Sequence, residues 1–118
     1  MILYVNGDSH TAAAEAVNPY AFAEDDPALA PLKRLPHPDN LNVSWGRILS
    51  DSLKCGLHCG AESASSNDRI IRTTEQWIKD NHNEIYRTLM VIQWSTWERE
   101  EWLHNGTYYQ VNASGIDD

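Results

Sequence analysis

Two hydrophobic periods alternate along this chain, and the points where one gives way to the other predict strands alternating with helices. Ile2-Leu3-Tyr4-Val5 is short, apolar and rich in β-branched and aromatic residues; stopped by Asn6-Gly7, it predicts a buried first strand. Ala12-Ala13-Ala14-Glu15-Ala16-Val17 predicts a helix just beyond it. Periodicity then fades over about 18–41, where all five prolines fall between Pro19 and Pro38 beside Glu24-Asp25-Asp26. A connection that long is either a lid or a floppy insertion. A second helix begins near the cap Ser44, shows Trp45, Ile48, Leu49 and Leu53 on one face, and ends at Gly56. A second strand covers Gly56 to Ala61. A third helix begins at Ser66 or Asn67, with Ile70, Thr74, Trp77 and Ile78 spaced to face a sheet. Leu89 to Trp94 is continuously apolar, as expected of a strand buried on both faces. Ser95 followed by Glu98 has the spacing of a capping box and predicts a short helix to Trp102, stopped by Asn105-Gly106. Thr107 to Val111 reads as a small strand or hairpin arm. The expectation is one α/β domain over 1–118, three layers deep, with a short parallel sheet and a Pro-rich insertion.

Composition narrows the function classes. At 118 residues with 42% hydrophobic content, the chain suffices for one modest core. A net charge of −8 offers no basic patch to neutralise phosphates, which argues against a nucleic-acid partner. The apolar runs are too short to span a membrane. No basic-then-apolar leader precedes Ile2, so a cytoplasmic location is expected and the sequons at Asn42, Asn105 and Asn112 read as coincidence. Cys55 and Cys59 flank His58, but two cysteines without a second pair do not make a zinc site. On one strand they would lie about 13 Å apart, too far for a disulfide, so both read as buried, reduced thiols. No metal and no cofactor are expected.

The candidate chemistry sits in Gly7-Asp8-Ser9-His10-Thr11, directly after the first strand. Ligands of open α/β sheets bind at the carboxyl ends of strands, which places Ser9 like a nucleophile, with Gly7 and Asp8 supporting the turn. Asp8 and Ser9 are equally good ordinary helix caps.

Gly7-Asp8-Ser9 resembles the first block of the SGNH (GDSL-type) esterase and lipase family, whose nucleophile is that serine. Ala61-Glu62-Ser63-Ala64-Ser65-Ser66-Asn67-Asp68-Arg69-Ile70 resembles the second block, and Leu89 to Thr96 the third strand and the block after it. With Val43-Ser44-Trp45-Gly46 and Ser95-Thr96-Trp97-Glu98-Arg99-Glu100, the whole is most similar to short SGNH-like proteins of marine phages. The resemblance implies a flavodoxin-like three-layer fold. It also implies hydrolysis of a carboxylic ester or O-acetyl group, on a small-molecule or carbohydrate ester. Its oxyanion donors would be the Ser9 N–H, the Ala64 or Ser65 backbone, and a hydroxyl from Ser95 or Thr96. Three departures stand out. Ala64 or Ser65 replaces the family's oxyanion glycine; Ser95 or Thr96 replaces its asparagine; and no Asp-x-x-His block occurs before Ile116-Asp117-Asp118. The chain therefore reads as C-terminally truncated, with an uncovered sheet edge expected to favour self-association.

A serine nucleophile needs a histidine base and an acid that orients it. His10 adjoins Ser9 and reads as a local hydrogen-bonding residue. His37 reaches the site only if the proline-rich segment folds over it. His58, His82 and His104 read as a strand residue and two helix-end residues, and Asp117-Asp118 as a solvated tail. Trp94, Trp97 and Trp102 could floor a pocket, though packing of a small domain is the reading preferred. Two other classes stand beside the esterase. One is a non-catalytic SGNH-like binding or structural module. The other is an aconitase-type hydratase, which shares the five-residue motif but needs three cysteines for its cluster.

Overall fold

The computed structural model describes residues 1–112 and 115–117. β1 (Ile2–Asn6) lies at the centre of a parallel sheet, flanked by β2 (Gly56–Cys59) and β3 (Thr88–Ile92) in the order β2-β1-β3. Val5 pairs with Cys59 on one side and Val91 on the other. Successive side chains of β1 point to opposite faces, so its short sequence feeds two different interfaces. Leu3 and Val5 join Ala12, Cys59 and Ala61 in the buried core. That face receives α3 (Trp45–Leu53), whose Trp45 and Leu49 pack on the core. Gly46 lets the helix approach: a Cβ there would lie 3.2 Å from Val5 Cγ2. Tyr4 and Asn6 point to the other face, covered by α4 (Asn67–Asp80). There Ile70 is fully buried, the Thr74 hydroxyl lies 3.2 Å from the Tyr4 hydroxyl, and the Trp77 and Tyr4 rings are 4.7 Å apart. The parallel sheet is thus the middle of three α/β/α layers.

Ser44 and Ser66 cap α3 and α4 as the sequence predicts, accepting from Arg47 N–H and Arg69 N–H. Elsewhere the structure corrects the sequence reading. The helix expected over 12–17 is a single turn, α1 (Ser9–Ala12), broken by left-handed Ala13 and Glu15. The N–H groups of Val17 and Asn18 both donate to the Asn40 side chain instead of continuing the helix. The proline-rich segment is ordered by local polar contacts. It holds two 3-10 stretches (Ala23–Asp25 and Pro27–Leu32) and the one-turn α2 (Pro38–Leu41), with Asn40 fully buried and bonded to the carbonyls of Asn18 and Tyr20. On α3, Ile48 is 66% exposed and lies off the packed face. β3 is an edge strand, so Leu89 is 42% exposed where burial on both faces was expected.

The largest correction lies after β3. Among the described residues, no helix follows Ser95. The Ser95 hydroxyl that would cap one accepts from Arg99 Nη1 at 3.0 Å. The chain instead builds an antiparallel sheet of β4 (Glu100–His104), β5 (Thr107–Asn112) and β6 (Gly115–Asp117). Asn105-Gly106, read as a helix stop, is the two-residue loop of the β4–β5 hairpin, with φ of 49° and 79°. This sheet docks on the start of α4 through polar groups. Arg72 grips Glu101 with two bonds of 2.7 and 2.8 Å, and Gln110 donates to Glu101 at 2.7 Å. Gln110 also accepts from the N–H and hydroxyl of Ser66, while the Arg72 guanidinium lies 3.8 Å above the Tyr108 ring. Asp117 contributes backbone to β6, and Asp118 lies outside the described residues. Among the described residues, no helix is long and apolar enough to cross a membrane.

Candidate active site

Ser9 stands where strand order changes direction. The chain runs from β1 outward to β2, then returns to place β3 on the other side of β1. The crevice beyond the carboxyl ends of β1 and β3 is the switch point at which such sheets bind ligands. Gly7 makes the sharp exit from β1 possible. A Cβ on it would press against Thr11 Oγ1 and lie 2.5 Å from Gln93 Oε1. Asp8, 4% exposed, caps α1 by accepting from His10 N–H at 3.0 Å. Its other contacts are His10 Nδ1 at 3.0 Å and Arg99 Nη1 at 3.2 Å. Burial alone would raise the Asp8 pKa. The His10 backbone and ring oppose it and hold the carboxyl below the usual range.

Three loops are tied together around this turn. Gln93 donates its N–H to Asn6 O, and its side-chain oxygen accepts from Asp8 N–H at 3.1 Å and Thr11 Oγ1 at 2.9 Å. Asn67 holds Ser95 at both backbone atoms, accepting at 2.7 Å and donating at 3.2 Å. Glu62 N–H reaches Gly7 O at 3.4 Å, fixing the loop before α4 against the end of β1. Glu62 itself is buried between Arg34 and Arg69, with Arg69 Nε at 2.6 Å. Under β1, Asn6 Nδ2 donates to the hydroxyls of Tyr4, Thr73 and Thr74, and Asn6 Oδ1 accepts from Gly7 N–H.

The predicted site residues fare differently within this frame. Among the described residues, the Ser9 hydroxyl and the Ser9 N–H have no hydrogen-bond partner, and Ser9 is only half-buried. Ala64 N–H is equally free, and Ala64 adopts φ of 67°, a conformation that favours glycine. Ser65 is not available: its N–H goes to Glu62 O, and its buried hydroxyl accepts from Arg69 at 3.0 Å. Ser95 is spent on Asn67 and Arg99. The Thr96 hydroxyl is exposed and unpaired among the described residues.

No histidine hydrogen-bonds Ser9 among the described residues. His10 gives Nδ1 to Asp8 and leaves its side chain 80% exposed. His37 is buried in a structural role. Its Nδ1 accepts from Asp39 N–H at 3.2 Å, so its Nε2 carries the proton that bonds Asp26 at 3.1 Å. His58 stacks on Tyr4 and lies tilted against Trp77, both at 5.6 Å, and burial lowers its pKa. His82 opens a 3-10 turn and His104 ends β4; both are exposed. The tryptophan cluster is not core packing. Trp94, Trp97 and Trp102 are 57%, 88% and 53% exposed; each lies in or beside the segment that became loop and edge strand. Cys55 and Cys59 are free thiols, with Cys59 buried and its pKa pushed up to about 11 by desolvation.

Sequence reasoning missed Gln93, Arg99 and Asn67, the three side chains that hold the loops in register. Only Asn67 carried a signal, as a residue at a helix start. No family model, curated protein or solved structure matches this chain.

Proposed function

We propose that this chain carries an SGNH-like site for a carboxylic ester or O-acetyl group, with Ser9 as nucleophile. The observation that carries the reading is the pairing state of Ser9. Its hydroxyl and its N–H are both unengaged among the described residues, at the switch point of a sheet ordered β2-β1-β3. In such a site Ser9 Oγ bonds to the acyl carbon as its hydroxyl proton passes to water and the carbonyl electrons move to oxygen; collapse of that oxyanion breaks the ester C–O bond, and the alcohol leaves with a proton from water. The N–H groups of Ser9 and Ala64 are the donors free to meet that oxyanion, with Thr96 as a third. Asp8 supports the turn and His10, and the buried Glu62 pair with Arg69 fixes the loop that carries Ala64.

A second reading is a non-catalytic SGNH-like module that binds the same class of ligand. The absence of any histidine on Ser9 among the described residues favours it. One experiment separates the two. The purified chain is treated with a fluorophosphonate, the adduct is mapped, and p-nitrophenyl acetate turnover is followed in parallel. Ser9-specific labelling with turnover supports the esterase. Ser9-specific labelling without turnover supports the module. Labelling unchanged in Ser9→Ala overturns the placement of the site.

A further inference from the structure

We propose that the outward face of the β4-β5-β6 sheet is a binding site for a small quaternary ammonium solute, separate from Ser9. Side chains alternate across this sheet, and the inward set of Glu101, Tyr108 and Gln110 is committed to α4 and its cap. On the outward face Glu100 sits opposite Val111, Trp102 opposite Tyr109 and His104 opposite Thr107, with Ile116 opposite Val111 on its other side. Trp102, Tyr109 and Ile116, with Leu103 and His104, line a cavity of about 440 Å³. Trp102 is 53% and Ile116 64% exposed, so the aromatic and apolar surfaces stand open.

Charge selects the occupant. β4 carries two carboxylates, Glu100 and Glu101, and no lysine or arginine. Glu101 is neutralised beneath the sheet by Arg72, whereas Glu100 shares the face of the aromatic pair. Its Oε2 accepts from Trp102 Nε1 at 2.9 Å, which fixes the indole plane and puts a negative charge at its edge. The Trp102 and Tyr109 rings in the cavity lining, with the Glu100 carboxylate at the indole edge, attract an apolar cation by the ring quadrupole and by direct Coulomb attraction. A sugar fits poorly, because its hydroxyls need several placed donors and acceptors. Here the Trp102 N–H is already given to Glu100, and His104 Nε2 lies 3.2 Å from Asn105 Nδ2.

The test titrates choline into the ¹⁵N-labelled chain and follows the Trp102 indole N–H. The comparison ligands are the uncharged isostere 3,3-dimethylbutan-1-ol, methyl glucoside and phosphatidylcholine vesicles. Choline is expected to bind at least about fivefold more tightly than the isostere, a preference that falls as salt is raised. Trp102→Leu keeps an apolar side chain without a ring and should weaken choline at least about fivefold, leaving the isostere within about twofold. Glu100→Gln, which leaves the aromatic pair in place, should weaken choline and not the alcohol. Equal binding of choline and isostere overturns the proposal. So does a Trp102 signal that responds only to glucoside, only to vesicles, or only to protein concentration through self-association.

Discussion

Arg99 Nη1 lies 3.2 Å from Asp8 Oδ2, joining the turn after the first strand to the loop after the third across 91 residues of chain. The same Nη1 lies 3.0 Å from Ser95 Oγ. One guanidinium therefore sets both the residue that shapes the Ser9 turn and the loop that would border an acyl group.

Asp8→Asn is expected to lower stability by about 1–2 kcal/mol at pH 7, the scale of a lost cap and a charge-assisted bond. The Asp8 pKa is depressed in the fold, so its contribution is present above the unfolded value and is lost as pH falls through the folded one. The gap between wild type and variant should therefore close below about pH 4, near the unfolded value. Chemical denaturation at pH 7 and pH 3 reads this directly. A gap of equal size at both would show that the charge is not what Asp8 supplies.

Gly7→Ala is expected to cost about 2–3 kcal/mol, because the added methyl meets Thr11 and Gln93 and must break the bonds that Gln93 makes to Asp8 and Thr11. The loss should appear in the melting temperature and as faster exchange of the Asp8 amide. An unchanged melting temperature would mean that the turn relaxes without disturbing Gln93.

What the sequence made legible follows from which forces are local. The core strand, the serine caps of α3 and α4, and the helix faces holding Ile70 and Trp77 all follow from residues within a few positions of one another. Three failures share a cause in long-range polar contacts. Asn40 captures the N–H groups of Val17 and Asn18 and ends the first helix early. Asn67 and Arg99 spend the Ser95 groups that would have capped a helix. Gln110 and Glu101 dock a hairpin whose Asn105-Gly106 turn was visible but was read as a stop. The strand-to-helix turn that carries Ser9 was legible in Gly7-Asp8-Ser9. The loop ties through Gln93 were not, since a glutamine after a strand carries no periodic signal.

The chain is expected to hydrolyse p-nitrophenyl acetate weakly, because a serine without its base retains at most the rate that an oxyanion hole supplies, roughly 10³–10⁴ over water. Ser9→Ala should leave stability within about 0.5 kcal/mol, since the hydroxyl has no partner to lose. His37→Ala should reduce stability through its bonds to Asp26 and Asp39, and should leave Ser9 labelling by a fluorophosphonate unchanged. His10→Ala is the informative counterpart. If turnover is robust and falls with His10→Ala, Nε2 of His10 is the base and the Asp8–His10 pair orients it.

Glu101 makes the second sheet acid-sensitive. Burial raises its pKa, and the bonds from Arg72 and Gln110 overcome that, holding the carboxyl below its ordinary range. A depressed carboxyl stabilises the fold above its unfolded value and ceases to do so as pH falls through the folded value. Among the described residues Glu101 is the one carboxylate linking the hairpin to Arg72, so acidification below about pH 4 should loosen β4–β6 before the parallel sheet opens. Glu101→Gln should imitate this at neutral pH. It would leave Arg72 half-buried without its charge partner, at a cost of about 2–3 kcal/mol after allowance for solvent. Amide exchange resolves the two sheets: Tyr109 and Val111 should lose protection at a pH where Leu3 and Val5 keep theirs. Simultaneous loss in both sheets, in wild type and variant alike, would mean that the hairpin and the parallel sheet unfold as one unit and that Glu101 is not the weak joint.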